Sequence, residues 1–257
     1  MNRSLEPRRH LGLGGSFNVR DIGGFVTADG RTTRWKTLLR SDNLHALLPE
    51  SQEYLIAYGV RTIIDLRSDN ELCDSPDVFE RSANVRYCHH NMVGGTEPDN
   101  FDGSREEIRA ALDRRDEAEG PLKMARTYCM WLDFRRVPIR EILVLIATPA
   151  QLPALYHCAG GADRTGVITA LLLGLAGVSA ETIVEDYAAT ACYLFQRDRH
   201  NATCPPWQKY AEDVCPQGAM SLTLAYLDER YGGIEPYVLS IGVTPEQIEA
   251  IRLIFLE

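Results

Sequence analysis

From Ala154 to Ala176 the chain reads as a buried strand, a tight loop and a helix, in that order. Ala154-Leu155-Tyr156-His157 is short and apolar, and Pro149 and Pro153 end the helix that precedes it. Cys158-Ala159-Gly160-Gly161-Ala162-Asp163-Arg164 then sets a cysteine and an arginine at the two ends of a loop, with five residues between them. Val167, Ile168, Leu171, Leu172, Leu173, Leu175 and Ala176 make the following helix apolar nearly all round, the pattern of a helix buried at the centre of a fold. That helix is too short, and too soon followed by polar residues, to span a bilayer. The expected fold is α/β: a central, mostly parallel sheet flanked by helices, with a helical C-terminal half, in one domain over residues 1–257.

The residue types in the loop suit one task, wrapping a phosphate oxyanion and attacking its phosphorus with sulfur. Only a thiolate is a useful nucleophile, and an ordinary cysteine titrates near pH ~8.5. A loop that curls around an anion aims backbone N–H groups at its centre, and the positive end of the next helix adds to them. The backbone of Ala159, Gly160, Gly161, Ala162, Asp163 and Arg164 is therefore the candidate phosphate cradle, with Cys158 as nucleophile. Gly160 and Gly161 permit positive φ and a close approach to the ligand. Arg164 offers a planar fork matched to two phosphate oxygens. Thr165 is placed for its hydroxyl to reach back to the sulfur. His157 reads either as a loop-orienting hydrogen-bond partner or as a satisfied core histidine.

The rest of the chain is less pointed. Residues 1–15 read as a polar arm, and Gly12-Leu13-Gly14-Gly15-Ser16-Phe17 fails as a dinucleotide loop because Phe17 stands where a glycine is needed and no strand precedes it. Phe25–Thr27 and Trp35–Arg40 read as strands, Leu48–Tyr58 as a helix stopped by Gly59, and Val60–Leu66 as a central strand. Asp65 lies near the C-terminal end of that strand, where α/β sheets place ligand groups, and is a candidate catalytic carboxylate or else a turn-forming one. Arg67 is expected to pair with a nearby carboxylate. Cys88-His89-His90 suggests a metal, but adjacent strand residues face opposite ways, so no metal and no cofactor are expected. Residues 93–120, with a helix at Arg105–Arg115, and residues 196–217 are candidate flap and lid segments. Helices follow at Leu122–Phe134, Val137–Ile146, Ala180–Phe195 and Leu222–Tyr231, and a last one opens on Thr244 and Pro245. Tyr187, Tyr193 and Phe195 either floor the pocket or pack.

A net charge of −9 argues against nucleic acid or an anionic membrane as the main partner. Seven cysteines, an odd number without paired spacing, suit a reducing cytoplasm. Met1–His10 carries arginines but no apolar core, so no secretory signal is expected; export by a route without such a signal stays open.

The loop matches the HC-x5-RTG pattern of cysteine-dependent phosphatases. More narrowly, the chain resembles the bacterial tyrosine phosphatase family typified by the secreted mycobacterial phosphatase, whose loop reads HC-x-x-G-K-D-R-T-G. Asn18-Val19-Arg20-Asp21-Ile22-Gly23-Gly24, Leu39-Arg40-Ser41-Asp42, Ile64-Asp65-Leu66-Arg67-Ser68, Glu185-Asp186-Tyr187 and Gly242-Val243-Thr244 resemble further landmarks of that family, in order. Ala162 departs from it, standing where the family has lysine. The resemblance implies a cysteine-phosphatase-like fold and hydrolysis of a phosphorylated protein or small phosphomonoester through a phosphocysteine, with Asp163 as general acid. A carboxylate beside Arg164 tends toward a lowered pKa, which an acid cannot afford, so Asp65, Asp102 and Glu106 stay in competition. A phosphoinositide or dual-specificity phosphatase is the second reading, weakened by the absence of a loop lysine. A phospho-ligand binding module without turnover, or a sulfurtransferase, fits the intact Cys158, Arg164 and Thr165 less well.

Overall fold

The computed structural model describes residues 6–94 and 103–257. Among them are five strands: β1 (Arg20–Asp21), β2 (Leu38–Ser41), β3 (Thr62–Asp65), β4 (Arg86–His89) and β5 (Ala154–His157). They form one sheet in the order β1-β2-β5-β3-β4, with β1 antiparallel to β2 and the other pairs parallel. β5 is thus the middle strand. His157 lies opposite Ser41 of β2 on one side and Asp65 of β3 on the other, so Cys158 leaves the centre of the sheet's C-terminal edge. Ligand groups of α/β proteins gather at this edge.

Strand alternation divides the core in two. Leu38, Ile64, Ala154 and Tyr156 pack with the later helices, while Leu39, Ile63 and Leu155 pack on the other face with Leu44, Leu47 and Leu55. A strand covered on both faces reads as an apolar run, as Ala154-Leu155-Tyr156 of β5, Ile63-Ile64 of β3 and Leu38-Leu39 of β2 do.

Among the described residues there are eleven α-helices: α1 (Pro49–Tyr58), α2 (Asp69–Asp74), α3 (Arg105–Asp116), α4 (Gly120–Phe134), α5 (Arg136–Ile146), α6 (Asp163–Leu175), α7 (Ala180–Asp198), α8 (Trp207–Val214), α9 (Gln217–Tyr231), α10 (Ile234–Ser240) and α11 (Pro245–Phe255). The apolar helix read after the loop is α6. It is buried from Thr165 to Leu173 and contacts α4, α7, α10, α11, β2 and β5. Its amphipathic neighbours close against it, as their one-sided apolar patterns require. The capping box at Thr244 and Gln247 starts α11, and Gly59, at φ 106°, ends α1.

The structure adds three points to this reading. First, Arg9, inside the arm read as polar, is fully buried, donates to the carbonyls of Asp21 (2.9 Å) and Gly23 (2.7 Å), and lies 3.8 Å over the Phe25 ring. Its guanidinium is tolerated inside because carbonyl oxygens and a π-face replace water. Second, α2 was not foreseen, although Ser68-x-x-Glu71 is a capping box. Third, residues 196–217 are more regular than read, since α7 continues to Asp198 and α8 forms, with Phe195 edge-packed on Trp207 and Tyr210. No helix among the described residues is long and apolar enough to cross a membrane.

Candidate active site

The loop that joins β5 to α6 is held close to the backbone of β2. Gly161 has φ +66°, and a Cβ there would lie 2.3 Å from the Ser41 carbonyl oxygen, so only glycine fits. Cys158 is 1% exposed at the foot of the loop. Among the described residues, the backbone N–H groups of Ala159, Gly160, Gly161 and Ala162 meet no protein acceptor. Gly161 and Ala162 are buried, where amides are nearly always paired, and a run of inward-turned amides is what an anion-binding loop presents.

Arg164 closes the loop from the first turn of α6, and its side chain is 11% exposed. Nη1 and Nη2 donate to the two oxygens of Glu71 at 2.6 and 2.8 Å, a fork-to-fork pair. Glu71 also accepts from Ser68 N–H and Oγ at 2.8 and 2.9 Å, so α2 aims the arginine. Burial works to raise the Glu71 carboxyl, but Arg164 and Ser68 prevail and hold it down at about 2. The sequence reading missed Glu71; the Ser68-x-x-Glu71 signal locates it on a helix start but says nothing of a partner 93 residues away.

Asp163 accepts from the Tyr128 hydroxyl, which also shares a 2.7 Å hydrogen bond with the Tyr187 hydroxyl. Burial pushes the Asp163 carboxyl up from its ordinary value, against the opposing pulls of the Tyr128 hydrogen bond and the Arg164 charge. Glu71 pairs with Arg164, and burial acts on Asp163 in the opposite sense to the Arg164 charge. Tyr187 packs beneath the site, while Tyr193 stacks on His10.

His157 is fully buried, with Nδ1 3.3 Å from the Cys158 carbonyl oxygen and Nε2 3.1 Å from Asp77 Oδ2 and 3.7 Å from Asp65 Oδ2. Burial opposes its charged form, but Asp65 and Asp77 outweigh burial and raise its pKa. Asp65 has close partners on three sides. Its carboxylate is taken by Arg67 Nε and Nη2 (3.0 and 2.6 Å) and by the Tyr87 hydroxyl (2.8 Å). Burial would raise its pKa, but His157 and Arg67 hold it at about 2, so it keeps no proton to give. Arg67 thus has the carboxylate expected of it.

Thr165 is fully buried, and its Oγ1 has no hydrogen-bond partner, so the expected bond to sulfur is not made. Glu106 is exposed in the first turn of α3, and Asp102 lies outside the described residues. His89 Nε2 lies 2.8 Å from the Arg67 carbonyl oxygen and His90 Nδ1 3.2 Å from Glu141. Ala162 is 4% exposed and part of the core, so the position that carries lysine in the motif here faces apolar neighbours. A groove of about 450 Å3 opens beside Asp163 and Arg164, walled by Val93, Lys123, Met124, Thr127, Tyr128 and Trp131.

A cysteine at the end of a central parallel strand, an amide cradle and an arginine at the head of a buried helix define a phosphoric monoester hydrolase of the cysteine-dependent class. The chain belongs to the tyrosine phosphatase family, whose model matches residues 11–257. It is similar to a tyrosine-protein phosphatase of Nostoc commune, 29% identical over 226 residues that cover 84% of this chain and 72% of the relative. It is also similar to the triple specificity protein phosphatase PtpB of Mycobacterium tuberculosis, 25% identical with 95% of this chain and 98% of the relative covered. Among solved structures, that of P. aeruginosa TpbA in complex with pTyr aligns with 93% of this chain and 99% of the other, at 15% identity and a TM-score of 0.43.

Proposed function

We propose that this tyrosine phosphatase turns over phosphotyrosine at the Cys158 loop, through a phosphocysteine. The observation that carries the reading is the pairing of a buried Cys158 with four backbone N–H groups that no protein acceptor uses. Cys158 Sγ attacks phosphorus as the bond to the aryl oxygen breaks. Asp163 gives its proton to that oxygen. The loop amides and Arg164 hold the three equatorial oxygens, over which charge is spread in the transition state. Water then attacks phosphorus, Asp163 takes its proton, and the S–P bond breaks to release phosphate and the thiolate. His157 is a positioning residue that fixes the loop's first carbonyl. Thr165 lies in the same first turn of α6, with its hydroxyl buried.

The groove favours an aryl ester. Tyr128 and Trp131 stack with centroids 5.5 Å apart, and Met124 and Val93 extend an apolar wall next to the proposed acid. The relative from M. tuberculosis is named a triple specificity phosphatase. Lys123, on the groove wall, is the observation that keeps a phosphoinositide reading in second place. Ala162 supplies no second cation inside the loop. A phosphotyrosine peptide should therefore be hydrolysed with a kcat/KM about tenfold or more above that of a phosphatidylinositol bisphosphate in mixed micelles. The reverse order would transfer the assignment to lipids.

The Glu71–Arg164 pair makes its own prediction. In Glu71→Gln the Arg164 charge is no longer compensated and favours ionised Asp163. The alkaline limb of kcat/KM should move to lower pH, and the peak should fall about tenfold as the fork loses its aim. An unmoved limb in a pH–rate profile would separate Asp163 from the acid role.

We treat the chain as one phosphatase domain, supported by a family match from residue 11 to 257. The segments 93–120 and 196–217 are its proposed flap and lid, residues 95–102 of the first lying outside the described residues. Seven free cysteines support a reducing compartment such as the cytoplasm.

A further inference from the structure

Four consecutive carbonyl oxygens of the loop are each gripped from outside it. The Cys158 oxygen lies 3.3 Å from His157 Nδ1. The Ala159 oxygen accepts from Asn43 N–H at 2.9 Å. The Gly160 oxygen accepts from Asn18 Nδ2 at 3.0 Å, and the Gly161 oxygen from Arg40 Nη2 at 2.6 Å. In a trans peptide the N–H points opposite to the C=O of the same unit. Holding these four carbonyls therefore turns the N–H groups of Ala159, Gly160, Gly161 and Ala162 the other way, and among the described residues none of these four meets a protein acceptor.

Two of the grips converge on one buried carboxylate. Asp186, on α7, accepts from Arg40 Nη1 at 2.5 Å and from Arg20 Nε at 3.3 Å. Arg20 also donates from Nη2 to the Asp186 carbonyl oxygen (3.0 Å) and to Thr190 Oγ1 (2.9 Å), and from Nη1 to Asn18 Oδ1. Asn18, Arg20, Arg40 and Asp186 are all 0% exposed. Such a set is costly to desolvate and gains little stability over an apolar replacement. Its cost is explained if it fixes a geometry that the reaction needs.

We propose that Asn18 and Arg40 are positioning residues for the oxyanion loop, and that Asp186 sets both, Arg40 directly and Asn18 through Arg20. They touch no reacting atom. They hold two peptide planes so that the amides of Gly161 and Ala162 face the phosphate oxygens. The inference rests on the proposed role of the Cys158 loop.

The test uses the full-length chain with orthovanadate as the oxyanion probe and p-nitrophenyl phosphate as substrate. Asn18→Asp keeps the shape and the acceptor for Arg20 but removes the donor to Gly160. Arg40→Met removes the donor to Gly161, and Arg40→Lys keeps a charge and one donor. In Asn18→Asp and Arg40→Met, vanadate inhibition should weaken about tenfold, the value of one amide–oxyanion hydrogen bond, with kcat falling more than KM rises. Arg40→Lys should recover part of the loss. A merely structural role would lower the unfolding temperature and leave inhibition and kcat of the folded fraction unchanged, and that result overturns the proposal. If Arg40→Met does not fold, Asn18→Asp decides alone. Absence of both turnover and vanadate inhibition in the unsubstituted protein would instead sink the functional reading itself.

Discussion

Cys158→Ser is expected to abolish hydrolysis of p-nitrophenyl phosphate, by at least about 10^4-fold in kcat, while the fold and the affinity for inorganic phosphate stay close to those of the unsubstituted chain. The substitution is nearly isosteric at a site that is 1% exposed, so packing changes little. The amides of Ala159–Ala162 and the Arg164–Glu71 pair remain. What is lost is the proposed sulfur nucleophile: a serine hydroxyl there has no adjacent base to take its proton. His157 cannot serve, because its Nδ1 faces the Cys158 carbonyl oxygen and its Nε2 faces Asp77. The measurement is a pH–rate profile without added metal, set beside phosphate binding by calorimetry. Activity within tenfold of the parent would remove Cys158 from the mechanism.

Asp163→Asn should cost about 10²–10³-fold in kcat on phenyl phosphate and phosphotyrosine, and clearly less on p-nitrophenyl phosphate. The difference follows from the leaving group, since nitrophenolate departs without much help from a proton and phenolate does not. The sign of the pH effect follows from protonation. Asp163 acts as an acid only while neutral, and burial raises its pKa. Activity should therefore fall as pH rises through that raised value, giving the alkaline limb, and the limb should vanish in Asp163→Asn. Equal losses on both esters, with the limb intact, would assign the proton to another group.

Much of this was legible in the chain. The strand at Ala154–His157, the loop and the apolar helix follow from neighbours in sequence, as do the Gly59 stop of α1 and the Thr244 cap of α11. Hydrophobic period, φ preference and capping act over a few residues, so they can be read locally. The spacing of Cys158 and Arg164 is of the same kind. Partner choice is not. Arg164 meets Glu71 across 93 residues, Arg40 meets Gly161 across 121, and Arg20 meets Asp186 across 166. Those meetings exist because the sheet takes the order β1-β2-β5-β3-β4, which brings β2 and β3 to either side of β5. Asp65 shows the cost of reading position without partners: it lies at the edge that ligands use, yet Arg67 and Tyr87 claim its oxygens. Arg9, read as part of a polar arm, is buried for the converse reason, because distant carbonyls and a ring receive it. The sequence by itself determined the strand, the loop with Cys158 and Arg164 at its two ends, and the helix behind them, since these are set by local backbone geometry. The tertiary structure alone decided which buried charges pair, because a charge leaves water only where the fold supplies its partner.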